Sequence, residues 1–393
     1  VVTAVDPSGH RGVLVVVGAL DERGGLQLRT VELARHLAVD VPVTLLTWEA
    51  GLRRPHRERD EDGLAVVRVP ALASWGRDHP ATLSRANTAV SVAAGVTAAV
   101  ALWRRWSAAW CTGLVPEGLT GAVAAGLLGR TFVVDTWLPG PLGNVARLVA
   151  SPIAGAERRL LARAAAIVAE TGEVAGELVG AGFPPERVRV VPWGVDLGRF
   201  RPPSPAERRT ARTALGIPDD RGVVVYTGRF DLRQKRLDVL LDAWARRPLS
   251  GWSLLLAGDG PDAAVVRARA GGVPGVRVLP WQPDVRALLW SADAFCLPTE
   301  FETTGRAVVE AMACGLAGVV SATTGYREMA PAGVTLVANE PAAWAAALAA
   351  LADPARRSVR GAAARAWAVS RHDLAATLAT VRALLGIPEI PSA

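Results

Sequence analysis

Two patterns of apolar residues alternate along the chain. Short β-branched runs bounded by turns give way to longer Ala- and Leu-rich stretches, the pattern of parallel strands joined by helices that cover both faces of a sheet. The alternation occurs twice. The first series predicts strands near Val13–Val17, Val43–Thr47, Ala65–Val69 and Thr131–Val134, with helices such as Leu26–Ala38 and Ala156–Ala166. The second begins near Gly222 and predicts strands over Trp252–Ala257, Val276–Leu279, Ala294–Leu297 and Gly318–Ser321. Between them lies Val191-Pro192-Trp193-Gly194-Val195-Asp196-Leu197-Gly198-Arg199-Phe200-Arg201-Pro202-Pro203, whose proline and glycine content suits a connection between domains. The expected fold class is α/β, with two doubly wound domains, 1–192 and 193–372, facing a central cleft. In such sheets ligands bind outside the carboxyl ends of the strands.

Composition narrows the class. The 393 residues exceed one compact core, half are apolar, and 21% are charged, as in a folded soluble enzyme. The excess of +7 is spread through arginine without a basic block interleaved with aromatics, so it points to anionic ligands or an acidic membrane face before nucleic acid. Cys111, Cys296 and Cys314 have no paired spacing and the five histidines are scattered, which excludes a zinc ribbon and a disulfide framework. These features predict a cytosolic protein, with peripheral contact at the inner membrane face left open. The first apolar run reads as a strand rather than a signal peptide. The uncharged stretch Ala86–Trp103 is weakly hydrophobic and reads as a packed helix rather than a membrane span.

Three segments carry candidate chemistry. Lys235 is the only lysine among 44 basic side chains. It follows a predicted strand in Thr227-Gly228-Arg229-Phe230-Asp231-Leu232-Arg233-Gln234-Lys235, where a compact ammonium suits a phosphate. Chance survival of one lysine under a coding bias is the plain alternative. Gly24-Gly25 precedes a helix whose unpaired amides can meet a phosphate or sugar, although such a pair is as often a simple turn. The densest cluster runs from Glu300 to Gly315. There Gly305 opens a helix and Gly315 closes it, and Glu310 stands among Val308, Val309, Ala311, Met312 and Ala313. A carboxylate in such surroundings needs a partner, either ribose hydroxyls or an arginine. Glu302, at the helix entrance with the amides of Thr303, Thr304 and Gly305, can hold sugar hydroxyls or cap the helix.

On these residues the chain resembles the retaining glycosyltransferases of family 4, whose GT-B fold pairs two Rossmann-like domains. The resemblance spans nearly the whole chain. It comprises Gly24-Gly25, the Val191–Pro202 connector, Gly228-Arg229 through Lys235, Ala257-Gly258-Asp259-Gly260-Pro261, and Glu302 with Glu310. It implies a nucleotide-sugar donor bound by the second domain. Arg229 and Lys235 would lie on its diphosphate, Glu310 on ribose, and Glu302, Thr303, Thr304 and Gly305 on the transferred sugar. Gly25, Gly228 and Val278 complete the expected nucleotide contacts. It further implies that a C-terminal helix, residues 373–388, packs back on an acceptor-binding first domain. The chain offers no carboxylate pair spaced like a metal site, so the two cations are expected to replace a metal ion and no cofactor is expected.

Two departures from the family pattern stand out. No histidine follows the strand ending in Val133-Val134-Asp135-Thr136-Trp137, and Asp135 is the candidate contact to acceptor or sugar, or else a loop cap. The lysine loop is one residue longer than usual, with Arg236 where glycine commonly stands. A sugar-nucleotide epimerase on the same fold and a non-catalytic sugar-nucleotide-binding protein are the competing functions.

Overall fold

The structure, a computed structural model, describes residues 12–18, 20, 25–51, 55–73, 81–141, 143–330 and 332–388. The chain divides into two compact units, residues 1–192 with 377–393 and residues 193–376.

Unit 1 contains strands β1 (Gly12–Val16), β2 (Val43–Ala50), β3 (His56–Arg59), β4 (Ala65–Ala71), β5 (Trp106–Thr112), β6 (Thr131–Thr136), β7 (Ala166–Ala169) and β8 (Val188–Val190). Its helices are α1 (Gly25–Ala38), α2 (Ala81–Ala101), α3 (Leu119–Leu128), α4 (Asn144–Val149), α5 (Ala154–Leu161) and α6 (Gly172–Gly180). The strand order is β3-β4-β2-β1-β5-β6-β7-β8, parallel except for β3, which runs antiparallel to β4. All four residues of β3 are exposed, His-Arg-Glu-Arg, so this edge strand carries no apolar pattern and its charges discourage further pairing. The inner strands are buried on both faces. Leu14, Val16, Leu46, Trp48, Val67 and Val69 join one cluster, and Val13, Val15 and Leu45, pointing the other way, are equally buried.

Helix α2 answers the question raised by its uncharged sequence. It packs on β2, β4 and α3, and Trp48 Nε1 donates to the Ser91 carbonyl at 2.8 Å. A Cβ on Gly95 would stand 2.9 Å from Thr120, so this small residue lets the helix approach α3. Among the described residues no helix is long and apolar enough to cross a membrane. The helix expected over 156–166 ends at Leu161, because Ala166 already begins β7, a buried strand with too few residues for a visible period.

Unit 2 contains β9 (Gly222–Thr227), β10 (Trp252–Ala257), β11 (Val276–Leu279), β12 (Ala294–Leu297), β13 (Ala317–Ser321) and β14 (Val334–Val337), ordered β11-β10-β9-β12-β13-β14 and all parallel. Around this sheet run α7 (Pro205–Ala214), α8 (Leu232–Lys235), α9 (Leu237–Arg246), α10 (Ala263–Gly271), α11 (Arg286–Ser291), α12 (Arg306–Ala313), α13 (Pro341–Ala350) and α14 (Pro354–Arg371). Helix α15 (Leu374–Leu385) begins in unit 2 and from Thr377 belongs to unit 1, where Arg382 pairs with Asp40 and Thr377 donates to the Pro192 carbonyl at 3.0 Å.

The two passages of chain between the units are tied together. Val195 N donates to His372 O at 2.8 Å and Leu374 N to Val195 O at 3.1 Å. A Cβ on Gly194 would lie 2.4 Å from Leu374 N, which is why the connector has glycine there. His372 is 1% exposed, donates Nδ1–H to Trp193 O at 2.7 Å and lies against Trp367 with ring centroids 4.7 Å apart. Burial lowers its pKa to about 4.

Two outcomes follow for stability. The unfolded chain takes up the His372 proton near pH 6.5 and the folded chain only near pH 4, so stability from this group is full above about 6.5 and is lost as pH falls. Between pH 7.5 and pH 5 the advantage of wild type over His372→Asn in urea unfolding shrinks by about 2 kcal/mol. An unchanged advantage refutes it. The second concerns Arg236, which joins α8 to α9 in the left-handed region, φ 38°, the only non-glycine residue there among those described. Arg236→Gly and Arg236→Ala remove the same side-chain contacts and differ in backbone strain. The glycine variant is expected to be more stable by about 1 kcal/mol in the same assay.

Candidate functional site

Each sheet reverses its winding once. In unit 2 the reversal falls between β9, followed by β10 on one side, and β12 on the other, so the loops leaving their carboxyl ends diverge and open a crevice. The loop after β9 carries Gly228, Arg229 and the lysine segment. The loop after β12 carries Thr299–Gly305.

The first loop is held by close backbone contacts. A Cβ on Gly258 would lie 1.9 Å from Gly228 O, and one on Gly260 would lie 2.5 Å from Phe230 O, so both glycines after β10 serve the seating of the Gly228–Phe230 loop. Buried Tyr226 donates its hydroxyl to Arg229 O at 2.8 Å, Phe230 N donates to Asp259 O at 2.8 Å, and Leu232 N donates to Asp262 Oδ2 at 2.7 Å. Arg229 is left exposed. Asp231 caps α8 by accepting from Gln234 N.

The opposite loop is fastened across three strand ends. Thr299 N donates to Ser321 Oγ at 2.7 Å, Ser321 Oγ donates to Asn339 Oδ1 at 2.6 Å, and Asn339 Nδ2 returns to Thr299 O at 2.8 Å. The two loops then lock, because Thr299 Oγ1 donates to Gln234 O at 3.0 Å and Glu300 N donates to the same oxygen at 2.7 Å. Arg236 adds an ion pair to Glu300 at 2.6 Å. Lys235 is thereby delivered to Glu302, 67 positions away, and its Nζ bonds the carboxylate Oε2 with both side chains about 15% exposed.

Beyond Glu302 the chain passes through Thr303 and Thr304, each 5% exposed, to Gly305 at φ 63°. A Cβ there would lie 2.5 Å from the Tyr326 hydroxyl, so glycine is required by backbone conformation and by space. Gly305 precedes α12 and gives it no side-chain cap, and the positive end of the helix dipole follows Glu302 in the chain. One turn further, Glu310 is 6% exposed and its Oε1 accepts from Arg306 Nε at 2.7 Å. The carboxylate thus has the arginine partner weighed from sequence, although its lone pairs can serve further donors. Val278 lies elsewhere on the same sheet. It pairs with Leu256 in the edge strand β11, packed on the core and two strands from β9.

In unit 1 the reversal lies between β1 and β5. Gly25 begins α1, while Gly24 lies outside the described residues. Asp135 ends buried near the carboxyl end of β6, where both carboxylate oxygens accept from Arg29 Nη2 at 3.0 and 3.2 Å, and Arg29 Nη1 donates to Glu170 at 2.5 Å. This triad fastens α1 to the ends of β6 and β7. Removing one member of a buried pair costs about 3–5 kcal/mol, so the Asp135 carboxylate has a structural duty whatever else it does. Sequence reading had no signal for Arg29, 106 and 141 positions from its partners. It also passed over Glu117, a lone carboxylate in the apolar run Leu114–Leu119. Glu117 sits in a π-helical turn, Leu114–Gly118, just after β5.

In unit 2 the arrangement can hold an anion and a polyhydroxyl group side by side. Arg229 and Lys235 put two cations on the segment after β9, and Glu302 and Glu310 carry oxygens that can accept from hydroxyls. Among the described residues no group of three or more His, Cys, Asp or Glu side chains is placed to hold a metal ion.

Residues 24–194 match the glycosyl transferase 4-like domain and residues 221–353 match glycosyl transferases group 1. A D-inositol 3-phosphate glycosyltransferase of Catenulispora acidiphila is 32% identical over 361 residues, 85% of this chain and 84% of that protein. One of Xylanimonas cellulosilytica is 38% identical over 228 residues, and there the match spans only 54% of the relative's length and 53% of this chain. Among solved structures, HepE of Anabaena in complex with UDP and glucose superposes with a TM-score of 0.74 at 20% identity, covering 96% of this chain and all of that one. The chain belongs to the group 1 glycosyl transferases and has the GT-B fold.

Proposed function

We propose that the protein transfers a sugar, with retention, from a nucleoside diphosphate sugar to a hydroxyl of a small acceptor, without a metal ion. The observation that carries this reading is the pairing of Lys235 with Glu302 across the β9/β12 crevice, with exposed Arg229 earlier in the segment that carries Lys235 and α12 starting after Glu302. A diphosphate laid on Arg229 and Lys235 displaces the ammonium from Glu302, which then accepts from the transferred sugar. Glu310, one turn deeper, takes the ribose. The bond from sugar C1 to the diphosphate oxygen breaks while C1 bonds to the acceptor oxygen on the same face. The acceptor proton passes to the leaving phosphate, whose growing charge the two cations stabilise.

The structural neighbour bound to UDP and glucose supports UDP-glucose as the first donor to test, and the curated relatives support D-inositol 3-phosphate as the first acceptor. A sugar-nucleotide epimerase would release free sugar or nucleotide without any acceptor, and a non-catalytic binder would not turn over.

Lys235→Ala is expected to lower turnover by about 100-fold, the loss typical of one electrostatic stabiliser, with Arg229→Ala at least as severe. Near-wild-type rates in the folded Lys235 variant remove the diphosphate role. Activity is expected to survive EDTA; loss restored by magnesium or manganese overturns metal independence. The two glutamates separate by calorimetry. Glu310→Ala weakens UDP and UDP-glucose alike by about tenfold, while Glu302→Ala leaves UDP affinity nearly unchanged and impairs transfer. Equal loss of UDP binding in both variants means that ribose and sugar are misplaced along α12.

A further inference from the structure

The winding of unit 1 reverses between β1 and β5, the position at which a doubly wound sheet takes its ligand. Glu117 stands at that point. A Cβ on Gly18, just beyond β1, would lie 3.1 Å from Glu117 Oε1, and one on Gly113, just beyond β5, would lie 2.7 Å from Oε2. The carboxyl group therefore lies over the gap between the two strand ends, in room left by two glycines. Gly113, at φ 125°, opens the turn and accepts from Gly118 N at 3.0 Å, which fixes the direction of Glu117. The residue is largely buried, with part of its surface open. The carboxylates at the neighbouring strand ends, Asp135 and Glu170, are paired with Arg29.

We propose that Glu117 is an acceptor-positioning residue, whose carboxyl group over the gap hydrogen-bonds a hydroxyl of the acceptor. The inference rests on the glycosyltransferase reading above and adds the residue that receives the acceptor. Burial supports it by raising the Glu117 pKa to about 7, against the pull of its own backbone amide and of Arg147. The elements packed on this turn are α2, α3, α4, β5 and β6, and their titratable or charged side chains are Arg85, Arg147, Cys111 and Asp135. Asp135 is paired with Arg29, and Cys111 is a buried thiol whose pKa is raised by burial first and then by Glu117. Arg147 is thus the counter-charge closest in effect to Glu117. A protonated carboxyl can donate as well as accept, whereas the ionised form only accepts and repels a phosphate-bearing acceptor.

The test measures KM and kcat for D-inositol 3-phosphate with UDP-glucose from pH 6 to pH 8 in wild type, Glu117→Gln and Glu117→Leu. The acceptor KM of wild type relative to Glu117→Gln is expected to rise about tenfold over this range, because the amide stays neutral and the phosphate's own titration is common to both. Glu117→Leu raises KM by about fivefold or more even at pH 6, with a smaller change in kcat. Calorimetric UDP affinity confirms that each variant is folded. A KM ratio independent of pH, a Gln variant as impaired as the Leu variant at pH 6, or a Leu variant with wild-type KM each overturns the proposal. Wild type that binds UDP-glucose but neither binds nor glycosylates D-inositol 3-phosphate also overturns it and leaves the donor reading intact. Failure to bind UDP-glucose strikes the donor reading instead.

Discussion

A parallel sheet whose winding reverses must send two neighbouring strands into loops that part from each other. That constraint positions the candidate sites described above. At the reversal in unit 2, no regular backbone pairing fills the gap between the ends of β9 and β12, so side chains and loop amides face it. The glycines after β10, the Thr299–Ser321–Asn339 ring and the buried hydroxyl of Tyr226 all act on the two loops that border the gap. They are anchoring devices, and they hold the two backbones from which Lys235 and Glu302 reach each other.

Unit 1 obeys the same rule with different chemistry. Its gap is bordered by Gly18 and Gly113, has Glu117 over it, and lies beside a helix pinned by the Arg29–Asp135–Glu170 triad. The first unit thus has an acid of raised pKa at its reversal, and the second has cations and ionic pairs.

Much of this was legible in the chain. The strands over Trp252–Ala257, Val276–Leu279 and Ala294–Leu297 have the predicted bounds, because each is a mainly apolar run that glycine or proline ends, at Gly258, Pro280 and Pro298. Gly305, Glu302 and Lys235 could be picked out because each residue type departs from its surroundings. The edge strand β3 has no such mark, since all four of its residues face solvent. The partners of Asp135 were invisible for a different reason. A pair separated by more than a hundred residues leaves no local pattern, and only the order of strands brings Arg29 to it. Arg236 was flagged as a missing glycine, and its left-handed backbone shows that the turn keeps the geometry while the side chain works on Glu300 and Asp238.

The route of the chain has a consequence for biosynthesis. Unit 2 is continuous from Trp193 to Ala376, whereas unit 1 includes the segment from Thr377 onward, with Arg382 against Asp40. Ribosomal synthesis therefore delivers most of unit 1 first, then all of unit 2, and only afterwards the helix that completes the first unit. Domains tend to fold as they emerge, so the nascent first unit waits with an uncovered surface for the whole time that 184 residues of the second are made, 193 through 376. At about 5–20 residues per second that interval is roughly 10 to 40 seconds, a window for chaperone capture that a sequential arrangement of the same two units would not open.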